Sequence, residues 1–127
     1  DSVLVVTNPE VSAVRDADRI IGLVEAEEKG PARLILNRVN PALTKRGDML
    51  TPDDVVELLA IKLIGIIPDD DNVVISTNRG QPVAFEQKSK SGQAFKNIAM
   101  RLKGNEVPFL DIDTKDDLFS RLFKQNS

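Results

Sequence analysis

Leu34-Ile35-Leu36-Asn37 is the stretch on which the fold turns, three apolar residues in a row closed by an amide. A continuous apolar run fits a strand buried on both faces of a parallel sheet, whereas a half-exposed strand alternates apolar with polar. Two similar runs flank it, Val3-Leu4-Val5-Val6 on the amino side and residues 63–67 on the carboxyl side. Between the first two runs, residues 9 to about 28 carry Val11, Val14, Ile20, Ile21 and Val24 at helical spacing. Asn8 is the expected cap with Pro9 in the first turn, and Lys29-Gly30-Pro31 stops the helix. Between the second and third runs, Thr51-Pro52-Asp53-Asp54 opens another helix, with Val55, Val56, Leu58 and Leu59 predicted to point inward. A third helix is predicted over roughly 91–103, with Phe95, Ile98, Ala99 and Leu102 on one face. Strand, helix, strand, helix, strand is the order of βαβ crossovers, so the expected class is α/β, a parallel sheet with flanking helices.

Composition narrows the chemistry. The chain has 127 residues, 41% hydrophobic and 29% charged, enough for one domain with a real core. It has no Cys and no His, which excludes disulfides, thiolate or imidazole metal sites and a Ser-His or Cys-His catalytic pair. The net charge of -3 argues against nucleic acid as a partner. No apolar run approaches the roughly 20 residues of a membrane-spanning helix. The chain opens almost directly into a strand that reads as central, so it is expected to be a piece of a larger domain.

In open α/β sheets, ligands bind beyond the carboxyl ends of the strands. Three polar segments follow the strands, at residues 7–10, 37–40 and 68–71, and all three can converge on one site. On residue type alone, Asn37 reads first as a local turn residue, and Asp69, Asp70 and above all Asp71 as a solvated acidic turn.

The tail is legible on physical grounds. Leu118, Phe119, Leu122 and Phe123 form a compact apolar stripe on a helix, with Lys115, Arg121 and Lys124 around it. A helix this short is marginal in water, where about 12 to 15 residues are usually needed, so it is expected to fold on a surface that buries the stripe. A membrane interface, the domain's own core and a groove on another protein all fit that requirement.

The residues 7–20 (TNPEVSAVRDADRI), 37–41 (NRVNP), 46–51 (RGDMLT), 67–70 (IPDD) and 118–123 (LFSRLF) together resemble the MinD septum-site-determining family of deviant Walker A ATPases, related to the ParA partition ATPases. The match spans essentially the whole chain in the family's order. The resemblance implies the C-terminal part of a Rossmann-like P-loop NTPase fold over residues 1–106, a linker at 107–114 and an amphipathic membrane-targeting helix at 115–127. No Gly-x-x-x-x-Gly-Lys-[Ser/Thr] occurs, so the phosphate cradle and the Mg ligands are expected in an N-terminal half, and this segment alone is not expected to hydrolyse ATP.

The resemblance assigns roles residue by residue. Asn37, Arg38, Pro68, Asp69 and Asp70 line the nucleotide base pocket, where an amide can pair with the edge of adenine. Glu10, Ser12, Arg15, Asp16 and Asp18 take part in contacts with a MinC-like inhibitor and a MinE-like activator, near the interface of an ATP-dependent homodimer. Leu118, Phe119, Arg121, Leu122, Phe123 and Lys124 bind an anionic membrane, placing the protein in the cytoplasm and peripherally on the inner face of the plasma membrane, or on the equivalent plastid membrane. Two other functions stay open, a ParA-type partition ATPase, disfavoured by the acidic balance, and a membrane-tethered interaction module without nucleotide hydrolysis.

Overall fold

The computed structural model describes residues 2–85 and 89–110. The tail residues Leu118, Phe119, Arg121, Leu122, Phe123 and Lys124 lie outside the described residues, as does the later part of the linker.

Three parallel strands, β1 (Val3–Thr7), β2 (Ala32–Val39) and β3 (Lys62–Pro68), lie side by side in sequence order. One layer against the sheet is formed by α1 (Val11–Ala26) and α3 (Pro52–Leu59), the other by α5 (Lys90–Leu102). Alternation along the strands feeds the two cores separately. Val5, Leu34 and Leu36 meet Val14, Ala17 and Ile21 of α1 and Val55 and Leu59 of α3. Ile35, Ile64 and Ile67 turn the other way, onto Ala94 and Ile98 of α5. Burial on both faces accounts for the apolar runs of β2 and β3, whereas β1, expected to be central, is covered on one face only and leaves Leu4 and Val6 exposed.

The helices depart from expectation at their ends and in their phase. Helix α1 begins at Val11, not Pro9, and its cap is Glu10, which makes no side-chain cap bond. Asn8 is spent on a turn, its carbonyl accepting from the Glu10 amide at 2.8 Å, while the buried Pro9 offers its carbonyl to the Leu50 amide at 3.0 Å. Val11 and Ile20 are exposed, because the buried stripe runs through Val14, Ala17 and Ile21. In α3 the start is as the sequence implies, with Thr51 accepting from the Asp54 amide at 3.0 Å and the Asp54 carboxylate accepting from the Thr51 amide at 3.3 Å. Leu58, expected inward, is exposed; Val55 and Leu59 alone reach full burial, one turn apart. In α5 the packed face is Ser91, Ala94, Asn97 and Ile98, so Phe95, Ala99 and Leu102 lie outside it. Two short helices went unread, α2 (Pro41–Lys45), capped by Asn40, and α4 (Asp71–Asn78), capped by Asp70.

Close approach of α5 to the sheet depends on Gly65, since a Cβ there would collide with the Ile98 side chain. Gly65→Ala is expected to cost about 1–3 kcal/mol by overpacking. In a denaturant-unfolding cycle, Gly65→Ala with Ile98→Ala should cost less than the sum of the single changes, since the smaller side chain makes room. Strict additivity would show that the collision does not limit this packing.

Candidate functional site

Strand β2 does not end at Asn37, as the sequence suggests, but runs on to Val39. Its pairing with β3 slips between Leu36 and Val39, so Asn37 and Arg38 sit in an irregularity on the carboxyl edge of the sheet. Arg38 takes a left-handed backbone, with φ of 56°, a conformation that is sterically unfavourable for a residue bearing a Cβ. Such outliers persist where surrounding structure enforces them, often at binding sites.

Beyond the slip, the Asp69 amide donates to the Val39 carbonyl at 2.9 Å. Arg38 Nε lies 3.7 Å from Asp69 Oδ1, with both side chains largely exposed. Such a pair is worth at most about 1 kcal/mol, so it orients the two loops more than it stabilises them. The geometry therefore brings Asn37, Arg38, Pro68 and Asp69 to one rim. Asn37 is half-buried, and its amide makes no side-chain hydrogen bond among the described residues. Its donor and acceptor are thus free to meet a ligand.

Asp70 lies at the same rim, but its carboxylate is already engaged. One oxygen accepts from the Asn72 amide and the Asn72 side chain, each at 2.9 Å. The other accepts from the Ser89 and Ser91 hydroxyls, each at 2.7 Å, and from the Ser91 amide at 3.3 Å. Ser89 in turn accepts from the Gly92 amide at 3.1 Å, capping α5. One carboxylate thus ties together the starts of α4 and α5. Partial burial works to raise its pKa, but hydrogen bonds from Ser91, Asn72 and Ser89 outweigh that and lower it to about 2. The Asp70 carbonyl is engaged as well, accepting from the Val73 amide at 3.1 Å, so Asp70 serves the start of α4 more than the rim. Asp71 opens helix α4 instead of sitting in a turn. Ser89 and Ser91 went unremarked, although a Ser-x-Ser-Gly sequence before a helical run is itself a capping signal.

The second set of residues lies on α1. Arg15 and Asp18 line an apolar groove of about 270 Å³ between α1 and α3, with Val11, Leu50 and Leu58. Glu10 lines a neighbouring cleft with Thr44, Asp48 and Thr51, while Ser12 and Asp16 are exposed on the helix. Among the described residues, Arg15 pairs with neither Asp16 nor Asp18, so its charge is uncommitted. No group of acidic side chains among the described residues is arranged to hold a metal ion, and no described helix is long and apolar enough to cross a membrane.

A parallel α/β sheet with a polar rim formed by two successive strand ends defines, at the level of class, part of an open α/β fold of the kind that takes ligands beyond its strand ends. Comparison with known proteins gives the particular family. The chain is 53% identical over 109 residues to the septum site-determining protein MinD of Synechocystis, covering 85% of this chain and 41% of that protein. It is 42% identical to MinD of Escherichia coli K12, covering 97% of this chain and 49% of that protein. Among solved structures, the MinC:MinD complex of Aquifex aeolicus matches with a TM-score of 0.84 at 43% identity, over 87% of this chain and 46% of that one. MinD of Pyrococcus horikoshii, solved with Mg-ADP, matches with a TM-score of 0.67 at 27% identity, over 80% of this chain and 40% of that one. No protein-family model matches. By sequence and by fold the chain belongs to the MinD family, and it spans somewhat under half the length of these relatives.

The Asp70 knot predicts a pH dependence. A carboxyl held near 2 in the folded chain, against an ordinary 3.8, contributes stability that is full above the ordinary value and is lost as pH falls from 3.8 toward about 2. Asp70→Asn should be less stable at neutral pH by roughly 1–3 kcal/mol and show a flatter acid limb. Denaturant unfolding across that range reads both effects, and an unchanged acid limb would remove Asp70 as its source.

Proposed function

We propose that this segment supplies the base-recognition side of the ATP site in a MinD-type ATPase that positions the division septum. The observation that carries the reading is the rim itself, where the slip at Asn37 and Arg38 sets a free amide beside the loop of Pro68 and Asp69. An adenine edge fits there, its amino group and ring nitrogen meeting the Asn37 carbonyl and amide. The nucleotide, when bound, contributes the γ-phosphate bond whose cleavage resets the protein. Phosphate and Mg binding fall to an N-terminal half such as the relatives possess. That half also answers a gap in this one, since Leu4 and Val6 of β1 face the α5 side of the sheet uncovered, 40% and 58% exposed. Among the described residues, strand β1 likewise has an unpaired edge, which a further strand would satisfy.

In this reading, ATP drives homodimerisation and paired tails hold an anionic membrane by effective concentration, so the protein is cytoplasmic and peripheral to that membrane. Glu10 at the cap of α1 and Ser12, Arg15, Asp16 and Asp18 on it meet a MinC-like inhibitor and a MinE-like activator; the MinC:MinD complex among the structural relatives supports the first partner, and the residues are assigned by the family resemblance. The uncommitted charge of Arg15 beside the apolar groove suits a protein partner.

Asn37→Ala in the whole protein should weaken ATP about tenfold and reduce its preference over GTP, by loss of a hydrogen bond that reads the base. Isothermal titration with both nucleotides tests it. Unchanged ATP affinity and unchanged discrimination would remove Asn37 from base recognition.

A further inference from the structure

At the opposite pole from the nucleotide rim, the amino ends of β2 and β3 carry Arg33 and Lys62, which are direct register partners. Leu34 and Leu63 pack toward α1 and α3, so Arg33 and Lys62 both emerge on the α5 side of the sheet. There they line a notch of about 440 Å³ with Arg101, Leu102, Glu106 and Phe109. Lys103 follows at the end of α5. Glu106 is the one acid among these lining residues, so the notch is strongly basic.

Arg101 is committed to structure. It donates to the Ile64 carbonyl at 2.9 Å, to the Val107 carbonyl at 3.1 Å and to the Pro108 carbonyl at 3.1 Å, and it lies over the Phe109 ring at 4.1 Å. It thereby clamps residues 107–110 onto this pole. Arg33 and Lys62 have no partner among the described residues, so their charges are available.

We propose that Arg33 and Lys62 form a second, electrostatic contact with an anionic phospholipid surface, orienting the domain on the membrane that the tail engages. The inference rests on the membrane reading of the tail. The clamp fixes where the tether leaves the domain, and the five residue-to-residue steps from Leu110 to Lys115 reach at most about 18 Å. A membrane-bound tail therefore keeps this pole within about two Debye lengths of the headgroups, a Debye length being about 8–10 Å. Lysine and arginine near such a surface each add attraction. The acidic turn of Glu25, Glu27 and Glu28 ends α1 on the other face of the sheet, so the attraction is one-sided and sets a tilt.

The test is co-sedimentation of the whole protein with Mg-ATP on vesicles containing phosphatidylglycerol and on vesicles of phosphatidylcholine alone. Arg33→Gln with Lys62→Gln should bind the anionic vesicles roughly tenfold more weakly and with a shallower salt dependence. The charge-conserving pair Arg33→Lys with Lys62→Arg should bind as the parent does. Vesicle-free ATPase activity and thermal midpoint should be unchanged, which separates surface attraction from misfolding. Parent and Gln variant binding equally, while Phe119→Ser with Phe123→Ser abolishes binding, would overturn the basic contact and leave the tail reading intact. Absence of binding by the parent protein would overturn the tail reading and this contact with it.

Discussion

Parallel pairing of β2 with β3 is the constraint on which the rest depends. In a parallel sheet all strands leave on one edge, so the loops after β2 and β3 are neighbours whatever their sequences. Pairing these strands in continuous register would present a flat edge. The slip between Leu36 and Val39 instead raises Asn37 and Arg38 out of the ladder, and the Asp69 amide to Val39 carbonyl bond closes the gap behind them. The left-handed Arg38 backbone is the local cost of that geometry.

Helix α5 joins the two poles of the molecule. Its start is capped by Ser89 and tied by Asp70 to the rim after β3. Its last turn holds Arg101, which clamps the tether at the far end. Between them Ile98 presses onto Gly65, so the helix lies close to the sheet. The same thirteen-residue helix thus places both the loop after β3 and the path of residues 107–110.

The strands and their order were readable because each is an unbroken apolar run, buried on both faces in β2 and β3 and on one face in β1. The rim was readable in outline, since strand ends in such a fold point to it, but the roles within it needed the family resemblance. What the sequence hid was phase and commitment. Val11, Ile20 and Leu58 fit helical spacing yet lie on a groove or on open surface, because periodicity does not say which side of an apolar stripe meets the sheet. Asn8 looked like a cap, but its carbonyl and the buried Pro9 serve a turn and a loop contact. The acidic run at Asp69 to Asp71 looked uniform, yet one residue pairs with Arg38, one knots two helices and one opens a helix. Those differences are set by residues far away in sequence, notably Ser89 and Ser91.

The central claim is that the rim after β2 and β3 receives the base of the nucleotide. The most direct measurement is amide hydrogen exchange of the whole protein with and without saturating Mg-ATP. The account predicts slowed exchange in residues 37–40 and 68–72, beyond any change in the sheet interior. Exchange unaltered in both segments, in a protein shown to be saturated with nucleotide, would contradict it.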